Sequence, residues 1–157
     1  MGESVYERIH SCAKALNVDL GDQELAAIAI EKQLSESELE AIAGIFEYLE
    51  VKKKETIVTT LLRLSRLPMK EPKTFANFDF SQIHGKDTKA LTELPNLSGL
   101  YAHRNIAFIG PQGVGKTHLG MAYGRECCLR GMKSYFLKAT ELNQKFMDAR
   151  RQGRESN

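Results

Sequence analysis

The sequence predicts an α/β fold in two parts: a helical N-terminal domain over residues 1–71, then the first part of a parallel-sheet domain over residues 72–157. Three observations carry that expectation. Apolar residues recur at helical spacing through the first 67 positions and stop at Pro68. Ile106-Ala107-Phe108-Ile109 is a short apolar run suited to a buried parallel strand, and it leads through a glycine-rich turn into a helical pattern. Met132 to Leu137 reads as a second strand, and Ala139 or Thr140 opens a further helix.

Taken in order, Ser4 to Leu16 places Val5, Ile9, Cys12, Ala13 and Leu16 on one helix face, and Asn17 to Gly21 breaks it. Asp22 suits the N-cap of a second helix carrying Leu25, Ala26, Ile28 and Ala29. Ser35-Glu36-Ser37-Glu38 has capping-box spacing and opens a longer helix striped by Leu39, Ile42, Ala43, Phe46 and Leu49. Beyond Lys52-Lys53-Lys54 the apolar positions resume from Ile57 to Leu67, as one helix to 67 or as two that part near the lysines. The lysines read as a solvated face with Glu47, Glu50 and Glu55 at pairing distance, or as a phosphate-contacting patch. Residues 68–72 form the candidate boundary. The run from Lys73 to Phe80 then alternates aromatic and polar residues; Phe75, Phe78 and Phe80 either pack beside a bound base or dock the linker on the core. Asp87 to Leu94 predicts a short helix ended by Pro95-Asn96, and Leu97 to His103 leads to the first strand.

The chemistry concentrates in Gly110-Pro111-Gln112-Gly113-Val114-Gly115-Lys116-Thr117, which fits G-x-x-x-x-G-K-T, the phosphate-binding P-loop or Walker A pattern. The glycines let successive backbone N–H groups turn inward as an anion nest. Lys116 adds a mobile cation that reaches the outer phosphates, and the Thr117 hydroxyl suits a Mg²⁺ bridging them. The helix predicted over His118 to Arg130, with Gly131 as its stop, points its positive end at the same place. His118 belongs to this run without an evident chemical role. The spacing is wrong for the dinucleotide fingerprint G-x-G-x-x-G.

Composition sets the frame. A hydrophobic share of 42 % in 157 residues is that of a globular chain. No apolar stretch approaches the length of a membrane span, and the N-terminus lacks the basic start and apolar core of a secretory signal, so a cytoplasmic protein is expected. Cys12, Cys127 and Cys128 match no zinc spacing, and adjacent helical cysteines diverge, so unbridged, buried thiols are expected. Residues 1–71 hold nine Lys and Arg against thirteen Asp and Glu, a net of −4; residues 72–157 hold thirteen against seven, a net of +6. The basic half suits nucleotide or nucleic acid, and the acidic half a protein contact.

The order of features resembles the IstB family of transposition helper ATPases, relatives of DnaC-type helicase loaders. The resemblance rests on the run from Lys73 to Phe80, on Asn105 to Gly110, on Gly115-Lys116-Thr117-His118-Leu119, and on Arg150-Arg151-Gln152-Gly153-Arg154. It implies an AAA+ type ATPase domain, incomplete here, behind the helical one. It also implies ATP and Mg²⁺ as cofactors, with Gly110 to His118 at the nucleotide and Thr117 on the metal. The implied partners are DNA and a transposase, or a replicative helicase in a loader, and the implied assembly is a homo-oligomer with no membrane. Members of the family run for roughly another hundred residues, about half a domain. That part would carry the acidic Mg²⁺- and water-positioning strand, the polar sensor and the arginine finger. After Thr117 no four apolar residues precede Asp-Asp or Asp-Glu. The expectation is therefore an early-ending chain or fragment that holds a nucleotide without efficient hydrolysis. A contrasting expectation is a protein-interaction fragment whose P-loop is vestigial.

Overall fold

The computed structural model describes residues 3–85 and 88–153. Asp87, expected at the start of a helix, and Arg154 of the basic C-terminal run lie outside the described residues. The chain forms two compact units that divide at Ile57/Val58.

The first unit is helical. Helix α1, Val5–Leu16, starts at a reciprocal cap: Ser4 Oγ accepts the Glu7 N–H at 3.2 Å, and the Glu7 carboxylate accepts the Ser4 N–H at 2.8 Å. It stops at Asn17, whose left-handed backbone (φ 60°) lets the Val18 and Asn17 N–H groups reach back to the Ala13 and Lys14 carbonyls. Helix α2, Asp22–Glu31, is capped one residue earlier than expected. Gly21 is the N-cap, and its N–H is met by the Glu24 carboxylate at 3.1 Å, so Asp22 sits inside the first turn. A carboxylate placed there still complements the positive end of the helix.

Helix α3 runs unbroken from Glu36 to Leu64, opened by the expected Ser35–Glu38 box (2.8 Å and 3.3 Å). The lysine triplet does not break it. Lys52 pairs with Glu55, Lys54 pairs with Glu50, and Lys53 donates to the Ala15 carbonyl. Ile9, Leu25 and Ala43 form the buried centre of the unit, with Val5, Tyr6, Leu20, Ile42 and Phe46 packed around it. A fully buried Ile contributes on the order of 1.5–3 kcal/mol. Arg8 joins the helices at the surface by reaching both Glu40 and Glu47. The Cys12 thiol is buried, donates to Glu50 and is held above its usual pKa by that burial.

The second unit begins within α3, where Val58, Leu61 and Leu62 pack on Cys128. The helix stops at Leu64, four residues before Pro68. Ser65 is fully buried; its hydroxyl donates to the Leu62 carbonyl at 2.7 Å and accepts the Leu67 N–H at 3.2 Å, while Arg66 turns left-handed (φ 61°). A 3₁₀ turn at Phe80–Gln82, α4 (Thr88–Thr92), a second 3₁₀ turn at Leu94–Asn96 and α5 (Ser98–Tyr101) follow. Then come α6, Lys116–Leu129, and α7, Ala139–Arg151. Gly131 closes α6 as expected, with φ 77° and the Met132 N–H returned to the Cys127 carbonyl. Arg130, at that same end, clamps the preceding loop through the Pro95 carbonyl at 2.7 Å. Cys127 and Cys128 are buried free thiols, both with pKa raised chiefly by burial.

The parallel sheet is a correction. Neither Ile106–Ile109 nor Met132–Leu137 enters a ladder, and no strand occurs among the described residues. The physical reason is that a strand is stabilised by its partner, and nothing between these segments supplies one. Ile109 is accordingly 95 % exposed. The second segment hangs instead from the end of α3, where the Phe136 N–H donates to the Ser65 carbonyl at 2.8 Å. The stripe expected on α7 is uncovered too: Leu142, Phe146 and Met147 are exposed.

Candidate functional site

Gly110, Pro111, Gly113, Val114, Gly115 and Lys116, at the start of α6, line a cavity of about 920 Å³. Gly113 (φ 88°) and Gly115 (φ 90°) hold the left-handed conformation that a glycine adopts without strain. Gly115 is the N-cap of α6, and the Leu119 N–H makes the first helical bond back to its carbonyl at 3.0 Å. The N–H groups of the first helical turn have no intrahelical acceptors, so the sequence that turns the chain also concentrates donors at its mouth. Leu119, which also lines the cavity, and Ala122 are buried and anchor the helix.

The nine residues expected at the site, Gly110 to His118, lie in this one continuous stretch. Gly110, Pro111, Gln112, Gly113, Val114 and Thr117 are exposed, and Gly115, Lys116 and His118 are half-buried. Lys116 Nζ is folded over the loop: it donates to the Gly110 carbonyl at 2.8 Å and to the Pro111 carbonyl. Neutral carbonyls are weaker acceptors than phosphate oxygens, so the ammonium is placed where an incoming anion outcompetes them. Thr117 lies in the first turn of α6, and neither it nor Gln112 is among the residues that line the cavity. Left-handed glycines, helix N-terminus and lysine together are a donor set that fits a polyphosphate.

Asn77, Phe78 and Asp79, in the segment before the 3₁₀ turn, line the same cavity. Thr74 and Asn77 bind each other reciprocally: the Thr74 N–H donates to Asn77 Oδ1 at 2.8 Å, and the Asn77 N–H donates to Thr74 Oγ1 at 3.2 Å. Asn77 Nδ2 also donates to the Pro72 carbonyl at 2.9 Å. Asp79 caps the 3₁₀ turn through the Ser81 hydroxyl (2.6 Å) and N–H (3.0 Å), and these bonds, the hydroxyl first, hold its carboxyl below the usual range. Phe78 lies edge-on to both Phe80 and His118, with centroids 4.9 Å and 5.1 Å away. From the sequence Phe78 is open between base and core, and the Thr74–Asn77 pairing is not among the expected contacts. The T-x-x-N spacing is the signal that could have found it, since it imitates a capping box.

A family model described as "IstB-like ATP binding protein" matches residues 9–157. A protein of Geobacillus stearothermophilus, named for ATP binding and for insertion sequence IS5376, is 34 % identical over 151 residues, which are 94 % of this chain and 59 % of that protein. A Pseudomonas aeruginosa protein named likewise for IS21 is 36 % identical over 93 residues, 59 % of this chain and 34 % of its own length. One from Bacillus thuringiensis, named for IS232, is 26 % identical over 141 residues, 90 % and 54 % of the two chains. The chain thus spans 59 % or less of the length of each of these three relatives. The family match runs from within α1 through the whole glycine loop, and the chain belongs to the IstB-like ATP-binding protein family.

Proposed function

We propose that this chain binds MgATP as the nucleotide-holding part of an insertion-sequence transposition helper, with Gly110 to Thr117 around the phosphates and Thr117 on the Mg²⁺. The observation that carries the reading is the coincidence, at one cavity, of two left-handed glycines, a helix N-terminus and a lysine that donates to neutral carbonyls. Binding is what these groups do: backbone N–H groups orient the phosphates, and Lys116 exchanges carbonyl oxygens for anionic ones. In the same reading residues 1–71 form the domain that meets a protein partner and residues 72–157 the nucleotide domain of AAA+ type. The partners are a transposase and DNA, as the relatives' insertion-sequence names suggest, and the place of action is the cytoplasm.

Titration with a fluorescent ATP analogue and Mg²⁺ tests this. Wild type is expected to saturate in the micromolar range. Lys116→Ala is expected to weaken binding by at least about tenfold, since a charge-assisted hydrogen bond is worth roughly 1.5–3 kcal/mol. Equal curves for the two proteins would rule out the phosphate site.

A further inference from the structure

We infer that His118 is a positioning residue: its imidazole fastens the segment Thr74–Phe80 to the first turn of α6 and so sets the apolar wall that receives the nucleotide's base. This rests on the reading of residues 110–117 as the phosphate site.

The bond itself is simple. His118 Nε2 lies 2.8 Å from the Thr74 carbonyl oxygen. That oxygen can only accept, so Nε2 carries the proton. The bond joins residues 44 apart in sequence. The segment it holds is already closed from within by the Thr74–Asn77 pairing and tied back to Pro72, so it moves as a piece. Phe78 is the part of that piece aimed at the loop. Its ring meets His118 edge-on at 63°. It also lies so close over Gly115 that a Cβ built there would stand 2.5 Å from Phe78 Cε2. Phe78, Ile83 and Leu91 line the same cavity as the glycine loop. A flat heteroaromatic ring suits such an apolar wall, whereas phosphates belong on the donor-rich side. Without the imidazole, the Thr74 carbonyl loses this donor and Phe78 loses an aromatic neighbour.

Calorimetric titration of MgATP and of magnesium tripolyphosphate, which has phosphates but no base, separates this role from phosphate binding. His118→Ala is expected to weaken MgATP roughly tenfold, the equivalent of one lost oriented contact, and tripolyphosphate by less than about twofold. His118→Gln, whose amide can donate to the same carbonyl, is expected to recover most of the ATP affinity. A second readout needs no ligand. Tryptic cleavage after Lys73 is expected to quicken in His118→Ala and to return towards wild type in His118→Gln, because the neighbouring segment is released and refastened. Equal losses for both ligands would place His118 on the phosphates and overturn the inference, as would no loss for either. If wild type bound neither ligand, the phosphate site would fall; the cleavage rates would still decide the clasp, and unchanged rates would overturn it.

Discussion

At the scale of single residues, Gly115 shows how a motif position acquires a second reason. The glycine is expected from the pattern alone, because the turn into α6 needs a left-handed residue. The close approach of Phe78 adds a steric demand that the pattern does not contain. Gly113 makes the comparison possible. Its φ of 88° matches the 90° of Gly115, but nothing lies within 4 Å of a Cβ built on it. Gly113→Ala therefore carries only the left-handed penalty, on the order of 1–2 kcal/mol. Gly115→Ala carries the same penalty plus displacement of an aromatic ring, and an overpacked site typically costs ~1–3 kcal/mol more. Thermal midpoints should fall further for Gly115→Ala than for Gly113→Ala, and Phe78→Ala in the Gly115→Ala background should recover the excess. Equal midpoints for the two alanine variants would mean that the Phe78 contact yields without cost.

At the scale of elements, the helices were legible in the sequence and their ends partly so. Ser4 and Ser35 each have an acidic residue three positions on, and both boxes form. Asp22 was misplaced by one residue because a carboxylate at Glu24 can cap the N–H of any residue at Gly21, side chain or none. The same device recurs at α7, where Glu141 accepts the Lys138 N–H at 3.1 Å. Glu7, Glu38 and Glu141 all have lowered pKa values. The cause is foremost the backbone N–H at Glu7 and Glu141, and the Ser35 hydroxyl at Glu38. Their folded pKa values lie below the unfolded ones, so the unfolded chain takes up protons first as pH falls. Stability from these caps is fully present above the unfolded carboxylate range, near pH 4.3, and is lost as pH drops through and below it. The thermal midpoint should decline from pH 6 to pH 3, and Glu38→Gln should flatten part of that decline. A variant with the wild-type slope would show that the α3 box contributes nothing to it.

At the scale of the whole molecule, helices and the glycine turn were readable and the sheet was not, and the reason lies in what each needs. A helix closes its hydrogen bonds within a few residues, and a glycine loop folds on its own carbonyls and N–H groups, so both are written in short stretches of sequence. A ladder needs a second segment at the right distance, and an apolar run such as Ile106–Ile109 declares only its own suitability. Among the described residues no such partner reaches it, while Phe136, in the other expected strand, finds the Ser65 carbonyl. Amide exchange should separate these two fates in one experiment. The Phe136 amide, bonded at 2.8 Å beside a fully buried serine, should exchange slowly. The amides of Ile106, Ala107, Phe108 and Ile109 should exchange nearly as fast as in an unfolded chain, since local opening there breaks no ladder. Ser65→Ala serves as the control. It removes the hydroxyl that bridges Leu62 and Leu67, a loss of roughly 1–3 kcal/mol for buried partners left unmet. It should therefore speed exchange at Phe136 and leave Ile106 to Ile109 unchanged. Slow exchange along Ile106–Ile109 in the isolated chain would mean that a second copy or another segment pairs with it in solution, and that the sheet forms by association.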